Sequence, residues 1–124
     1  MGISGLHFLV IDDVPTVLEV LIVLLRLEGA HVVGAANGRE ALAAVRESDF
    51  DVVVSDLGLP DMAGDVLIRA IVATARKPVH VVVITGESEP SLTRALAAGA
   101  AAIFTKPCRW DQIVGYLDGL AAAA

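Results

Sequence analysis

Two short runs, DVVVS at 51–55 and VHVVVI at 79–84, constrain the fold of this chain more than any other feature. Both are nearly unbroken series of β-branched residues. Successive side chains of a strand face opposite sides of a sheet, so a half-exposed strand alternates apolar and polar residues. A strand without alternation is buried on both faces, as in a parallel sheet covered by helices. Three further runs of strand length lie at 6–11, 31–35 and 101–104. All five alternate with segments of helical periodicity.

The helical segments carry their own punctuation. Pro15 suits a first helical turn, with Asp13 as a candidate N-cap. That helix carries VLEVLIVLLRLE and stops at Gly29. Asn37 and Gly38 open a second helix, and Gly64 or Asp65 a third that ends before Lys77 and Pro78. Ser88 or Glu89, followed by Pro90, opens a fourth that stops at Gly99. Residues 109–120 make the fifth, and the closing AAAA reads as a frayed helix end. The pattern is (βα)5, and right-handed crossovers make it an α/β doubly wound five-stranded parallel sheet. With 124 residues and no linker or repeat, the chain reads as one domain, 1–124.

Charge and composition narrow the function. A net charge of −6 argues against direct nucleic-acid binding. No apolar run approaches the ~18 residues of a membrane span, and no basic segment precedes the first apolar run. The single cysteine, Cys108, cannot form an internal disulfide. It reads as a small structural thiol in a reducing, cytoplasmic protein.

In a doubly wound sheet the ligand crevice lies at the carboxyl ends of the strands. The first strand delivers Asp12 and Asp13 there, with side chains pointing differently because strands alternate. The third delivers Asp56, the fourth Thr85, and the fifth Lys106 followed by Pro107. Three converging carboxylates need a counter-charge. Mg2+ supplies it: the ion prefers oxygen ligands and binds one or two carboxylates together with phosphate oxygens. Lys106 adds a compact cation and Thr85 a hydroxyl, each able to meet a phosphoryl oxygen. Such a set suits phosphoryl transfer to a carboxylate. His7, His31 and His80 sit at strand starts, the opposite end, and read as structural.

The motifs IDD at 11–13, AANGREAL at 35–42, SDLGLPDMAG at 55–64, ITG at 84–86, ALAAGA at 95–100 and TKP at 105–107 are each short. In this order, at strand ends, the chain resembles a response-regulator receiver domain of two-component signalling over nearly its full length. The resemblance implies a flavodoxin-like fold with strand order 2-1-3-4-5. It implies Asp56 as phosphoacceptor, Asp13 and Asp56 as direct Mg2+ ligands, Asp12 acting through water, and Gly58 giving a backbone carbonyl. Thr85 is then the switch hydroxyl, Lys106 the phosphoryl-pairing lysine, and Lys106–Pro107 a cis peptide. Gly58 and Glu87 stand where the family tunes phosphoryl lifetime. Implied partners are a histidine kinase or phosphotransfer protein and a downstream protein or effector domain. The readout surface is the fourth helix, fifth strand and fifth helix.

One position departs from the family pattern. The switch aromatic three residues before the lysine is replaced by Ile103, and the adjacent Phe104 points to the opposite face. The fourth helix carries few charges beyond Arg94, so a monomer or weak dimer is expected rather than a salt-bridged one. Three other readings compete. A Mg2+-dependent phosphatase needs a second carboxylate at position 58, which is glycine. A flavodoxin-like cofactor binder needs a Ser/Thr/Gly-rich loop where DDVPT stands. A pseudo-receiver interaction module would not need the acidic triad, Thr85 and Lys106.

Overall fold

A computed structural model of the chain describes residues 2–123. Ten elements alternate along it: β1 (His7–Ile11), α1 (Pro15–Leu27), β2 (His31–Ala35), α2 (Gly38–Glu47), β3 (Val52–Ser55), α3 (Gly64–Thr74), β4 (His80–Thr85), α4 (Ser91–Ala98), β5 (Ala100–Thr105) and α5 (Trp110–Ala123). The five strands form one parallel sheet in the order β2-β1-β3-β4-β5. The chain thus winds outward from β1 in both directions.

The two β-branched runs occupy the centre of this sheet, and alternate residues feed two cores. Leu9, Ile11, Val53, Val81 and Val83 face α2, α3 and α4, meeting Val45, Leu67, Ile68 and Ile71. Phe8, Val10, Val52, Val54, Val82 and Ile84 face α1 and α5, meeting Leu25, Ile113 and Leu117. Each fully buried side chain of this size stabilises the fold by about 1.5–3 kcal/mol. Two helix layers therefore fix the height and twist of the strand ends that carry the polar residues.

Most helix boundaries follow the sequence signals. Asn37 accepts from the Glu40 N–H at 2.8 Å, and Glu40 returns the bond by accepting from the Ala36 N–H at 2.9 Å. Gly29 and Gly99 follow α1 and α4 with φ of 91° and 125°, the left-handed conformation glycine adopts without strain. One expectation fails: Asp13 does not cap α1. Val14 is the residue before the helix and offers no side-chain cap, and the carboxylate that accepts from the Val14 N–H is Asp12. At the start of α4, Glu89 rather than Ser88 provides the oxygen, accepting from the Thr93 N–H at 2.9 Å. Helix α5 ends within the terminal alanines, at Ala123, while Ala124 lies outside the described residues.

Candidate functional site

The site forms where β1, β3, β4 and β5 end. Strand β1 pairs with β3 in register, Ile11 beside Ser55. The residues that follow, Asp12 and Asp56, therefore emerge at the same level. Asp12, Asp13 and Asp56 each contribute a carboxylate oxygen to a cluster whose members lie within 4.8 Å of one another. Asp12 is buried (2% exposed), Asp56 half-buried and Asp13 exposed. The cluster grades from core to solvent and is open on one side.

Lys106 enters from the end of β5. Its Nζ lies 3.2 Å from Asp56 Oδ2 and 3.8 Å from Asp12 Oδ2. Its main-chain N–H donates to the Thr85 carbonyl at 2.8 Å, tying the ends of β4 and β5 together. The Lys106–Pro107 peptide bond is cis.

The two inner carboxylates have opposite proton affinities. Burial pushes the Asp12 carboxyl above its ordinary value, and the Val14 N–H and Lys106 only partly offset it. Burial acts on Asp56 too, but the Gly58 amide, Lys106 and the Leu57 amide outweigh it and hold that carboxyl low. The Leu57 N–H donates to Asp56 Oδ1 at 2.6 Å and the Gly58 N–H at 3.3 Å. Asp56 is therefore a well-ionised carboxylate with one oxygen held by amides and the other facing an ammonium.

The 57–64 loop that supplies these amides is itself clamped. Gly58 and Ala63 form an antiparallel bridge, and Gly64 sits against the Leu57 backbone. A Cβ at position 58 would stand 3.2 Å from Glu87 Oε2, so Glu87 overhangs the loop. Thr85 is fully buried, and its Oγ1 accepts from the Glu87 N–H at 3.1 Å. Ile103 lies opposite Val83 and packs on the α2–α4 side, while Phe104 packs on the α1–α5 side. The two residues face apart, and Phe104 instead meets Tyr116 edge-on at 5.6 Å.

The donor set fits a hard divalent cation. It consists of carboxylate oxygens alone, converging and partly exposed, with excess negative charge that Lys106 does not cancel.

Two features carry no readable signal in the sequence. Asp61 accepts from the Gly38 and Arg39 amides at 2.9 Å each, capping α2 from 23 positions away. A cavity of about 380 Å³ opens between α1 and α5 beside Asp12, Asp56 and Lys106, with Leu24, Cys108 and Trp110 among its walls. The PDMAG segment contains Asp61, but only the tertiary fold brings it to α2.

Comparison with known proteins agrees with this geometry. A family model described as the response regulator receiver domain matches residues 8–118. The transcriptional regulatory protein KdpE of Mycobacterium tuberculosis is 38% identical over 109 residues, 88% of this chain and 48% of that protein. The two-component response regulator ORR26 of Oryza sativa is 35% identical over 111 residues, 88% of this chain and 19% of that protein. The chain thus spans about half the length, or less, of these curated relatives. A CheY-like receiver domain protein from Methanospirillum hungatei superposes with a TM-score of 0.85 at 28% identity, covering 98% of this chain and 100% of its own. A Burkholderia pseudomallei response regulator, solved with a phosphorylated aspartic acid, calcium ion and citrate, gives 0.84 at 28% identity, covering 96% and 70%. By sequence, topology and the placement of its acidic strand ends, the chain belongs to the response regulator receiver domain family.

Proposed function

We propose that this domain is a phospho-accepting switch, in which a histidine kinase or phosphotransfer protein donates a phosphoryl group to Asp56. The observation that carries this reading is the pairing of a low-pKa Asp56 carboxylate with the Lys106 ammonium, 3.2 Å apart, inside an acidic triad. The Burkholderia neighbour, whose structure holds a phosphorylated aspartic acid and a calcium ion, supports both the covalent chemistry and the presence of a divalent cation.

Asp13, Asp56 and the Gly58 carbonyl, with Asp12 acting through water, would hold Mg2+. When bound, the ion neutralises the carboxylates and the incoming phosphoryl oxygens. The remaining work falls to the chain. Leu57 and Gly58 hold one Asp56 oxygen through their amides, which orients the other for attack. An Asp56 oxygen forms the new P–O bond as the P–N bond to the donor imidazole breaks, and the imidazole leaves with the electron pair. Lys106 stays beside the transferred group and balances its charge. The Thr85 hydroxyl now accepts from the Glu87 amide; turning it onto a phosphoryl oxygen exchanges that bond and moves the β4–α4 loop. The readout face is α4, β5 and α5.

The domain catalyses only its own phosphorylation and dephosphorylation. Gly58 stands where a phosphatase general acid would be needed, which disfavours turnover of outside substrates. The cytoplasm, where kinase and ATP meet, is its proposed location; among the described residues no helix is long and apolar enough to cross a membrane. The proposed domain boundary is 1–124, whatever precedes or follows it.

The test is intact mass after incubation with acetyl phosphate and Mg2+. Wild type is expected to gain one phosphoryl group, Asp56→Asn none, and EDTA to prevent the gain. Undiminished phosphorylation of Asp56→Asn would refute the assignment. An unphosphorylatable wild type that still binds Mg2+ and a kinase would favour the pseudo-receiver reading.

A further inference from the structure

Helix α1 has a face that no other part of the described chain covers. Its inner side packs on the sheet through Leu25, with Leu18, Leu21 and Ile22 beside it. On the opposite side Val20, Val23 and Leu27 are 55%, 48% and 76% exposed. Thr16, also exposed, extends the line toward the start of the helix. A shallow groove runs along Thr16, Val20 and Val23. At ~100° per residue the four positions fall within an arc of about 60°. Their spacing, alternately four and three residues, is that of a coiled-coil seam. Apolar residues scattered singly over a surface have no such register.

The seam is its own complement when reversed. Two copies of α1 can lie antiparallel with Val20 against Val23 of the partner subunit. The same register then sets Thr16 against Leu27 of the partner subunit, and two-fold symmetry repeats both contacts. The helix has two charged residues, Glu19 and Arg26, both exposed on one flank of the seam. Neither takes part in an ion pair among the described residues. The antiparallel register brings Glu19 beside Arg26 of the partner subunit, again twice. On the other flank, Val17 comes beside Leu24 of the partner subunit. A parallel pair lacks this match, because it sets the charged flank against the apolar one.

We infer that the outer face of α1 binds a second copy of this chain, as an antiparallel helix pair closed by two Glu19–Arg26 ion pairs. The interface is isologous, so it closes at a dimer. The seam covers about 16 Å of helix at ~1.5 Å per residue. It is small for a specific interface, and association falls in about the micromolar-to-millimolar range. The contact involves none of Asp12, Asp56, Thr85 or Lys106, although its Val17–Leu24 flank borders the cavity beside them.

Sedimentation equilibrium from about 10 µM to 1 mM tests the pairing. Wild type is expected to show a monomer–dimer equilibrium. Glu19→Arg or Arg26→Glu alone places like charges together and should weaken it by ~10-fold or more. The double variant E19R/R26E should restore the wild-type constant. Because Arg26 also donates to the Val32 carbonyl at 3.1 Å, each variant is checked for folding by thermal melting. Val20→Asp, on the exposed seam, should abolish the dimer and leave the melt unchanged. A wild type monomeric through 1 mM would overturn the proposal. So would a dimer indifferent to Val20→Asp, or a folded double variant as weak as the single ones.

Discussion

Replacing Gly64 with alanine should destabilise the domain, although glycine-to-alanine changes in helices ordinarily do the reverse. Gly64 begins α3, and its φ is not in the left-handed region, so conformational freedom is not what glycine contributes there. A Cβ at this position would lie 2.6 Å from Leu57 Cα, 2.6 Å from Leu57 Cδ2 and 2.9 Å from the Leu57 carbonyl oxygen. Carbon atoms pack comfortably at about 3.5–4.0 Å, so relief requires a shift of about 1 Å. The Leu57 side chain can rotate away, but its Cα cannot. Overpacking of this kind costs about 1–3 kcal/mol, against a helix-propensity gain of at most ~1 kcal/mol. A net loss of about 1–2 kcal/mol is expected, which lowers the urea midpoint by roughly 0.5–1 M. Gly115 in α5 is the control. Nothing stands within 4 Å of its Cβ position, so Gly115→Ala should gain about 0.5–1 kcal/mol. The shift also moves the Leu57 amide that holds Asp56, and phosphorylation by acetyl phosphate should slow by about 100-fold. A Gly64→Ala protein as stable as Gly115→Ala would refute the packing argument.

Three further outcomes follow from single contacts. Asp51 accepts from the His7 N–H and from Lys77, and despite partial burial these bonds hold its carboxyl below the ordinary value. Its contribution, about 1 kcal/mol, is present above the unfolded carboxylate pKa and is lost as pH falls through the folded one. The stability gap between wild type and Asp51→Asn in urea melts should therefore close on acidification. Asp12→Asn keeps an acceptor for the Val14 N–H while removing a charge that burial disfavours. Because the folded pKa of Asp12 is raised, its penalty is absent below the ordinary carboxylate range and grows as pH rises past it. The metal-free variant should thus melt at or above wild type near neutral pH. Mg2+ at ~100 times its wild-type dissociation constant should stabilise wild type by about 2.7 kcal/mol, and Asp12→Asn, which loses only the water-mediated carboxylate, by about 0.5–1.5 kcal/mol. Ile71→Ala empties a fully buried site in the α3 core and should cost about 2–5 kcal/mol by urea denaturation.

The sequence made the sheet legible because burial on both faces leaves a mark that exposure does not: DVVVS and VHVVVI have no polar alternation. Residues at strand ends were legible for the same reason, since a strand of known length delivers the residue after it to a known edge. The failures were local contests that sequence spacing cannot decide. Asp12 and Asp13 are neighbours, and which of them reaches the Val14 amide depends on the direction in which β1 points its last side chains. Asp61 caps a helix that precedes it by more than 20 positions, a contact set by how α2 and the 57–64 loop share one edge. The cavity between α1 and α5 reflects the separation of two helices, which periodicity does not encode.

That cavity has a practical consequence. The chain has one tryptophan, Trp110, and it forms part of the wall that also includes Asp12, Asp56 and Lys106. All indole fluorescence therefore originates beside the acidic strand ends. A cation, a phosphoryl group or a small apolar guest entering there alters the polarity around a lone emitter, and no other indole dilutes the signal. The unmodified protein thus carries its own optical probe, suited to titration and stopped-flow work.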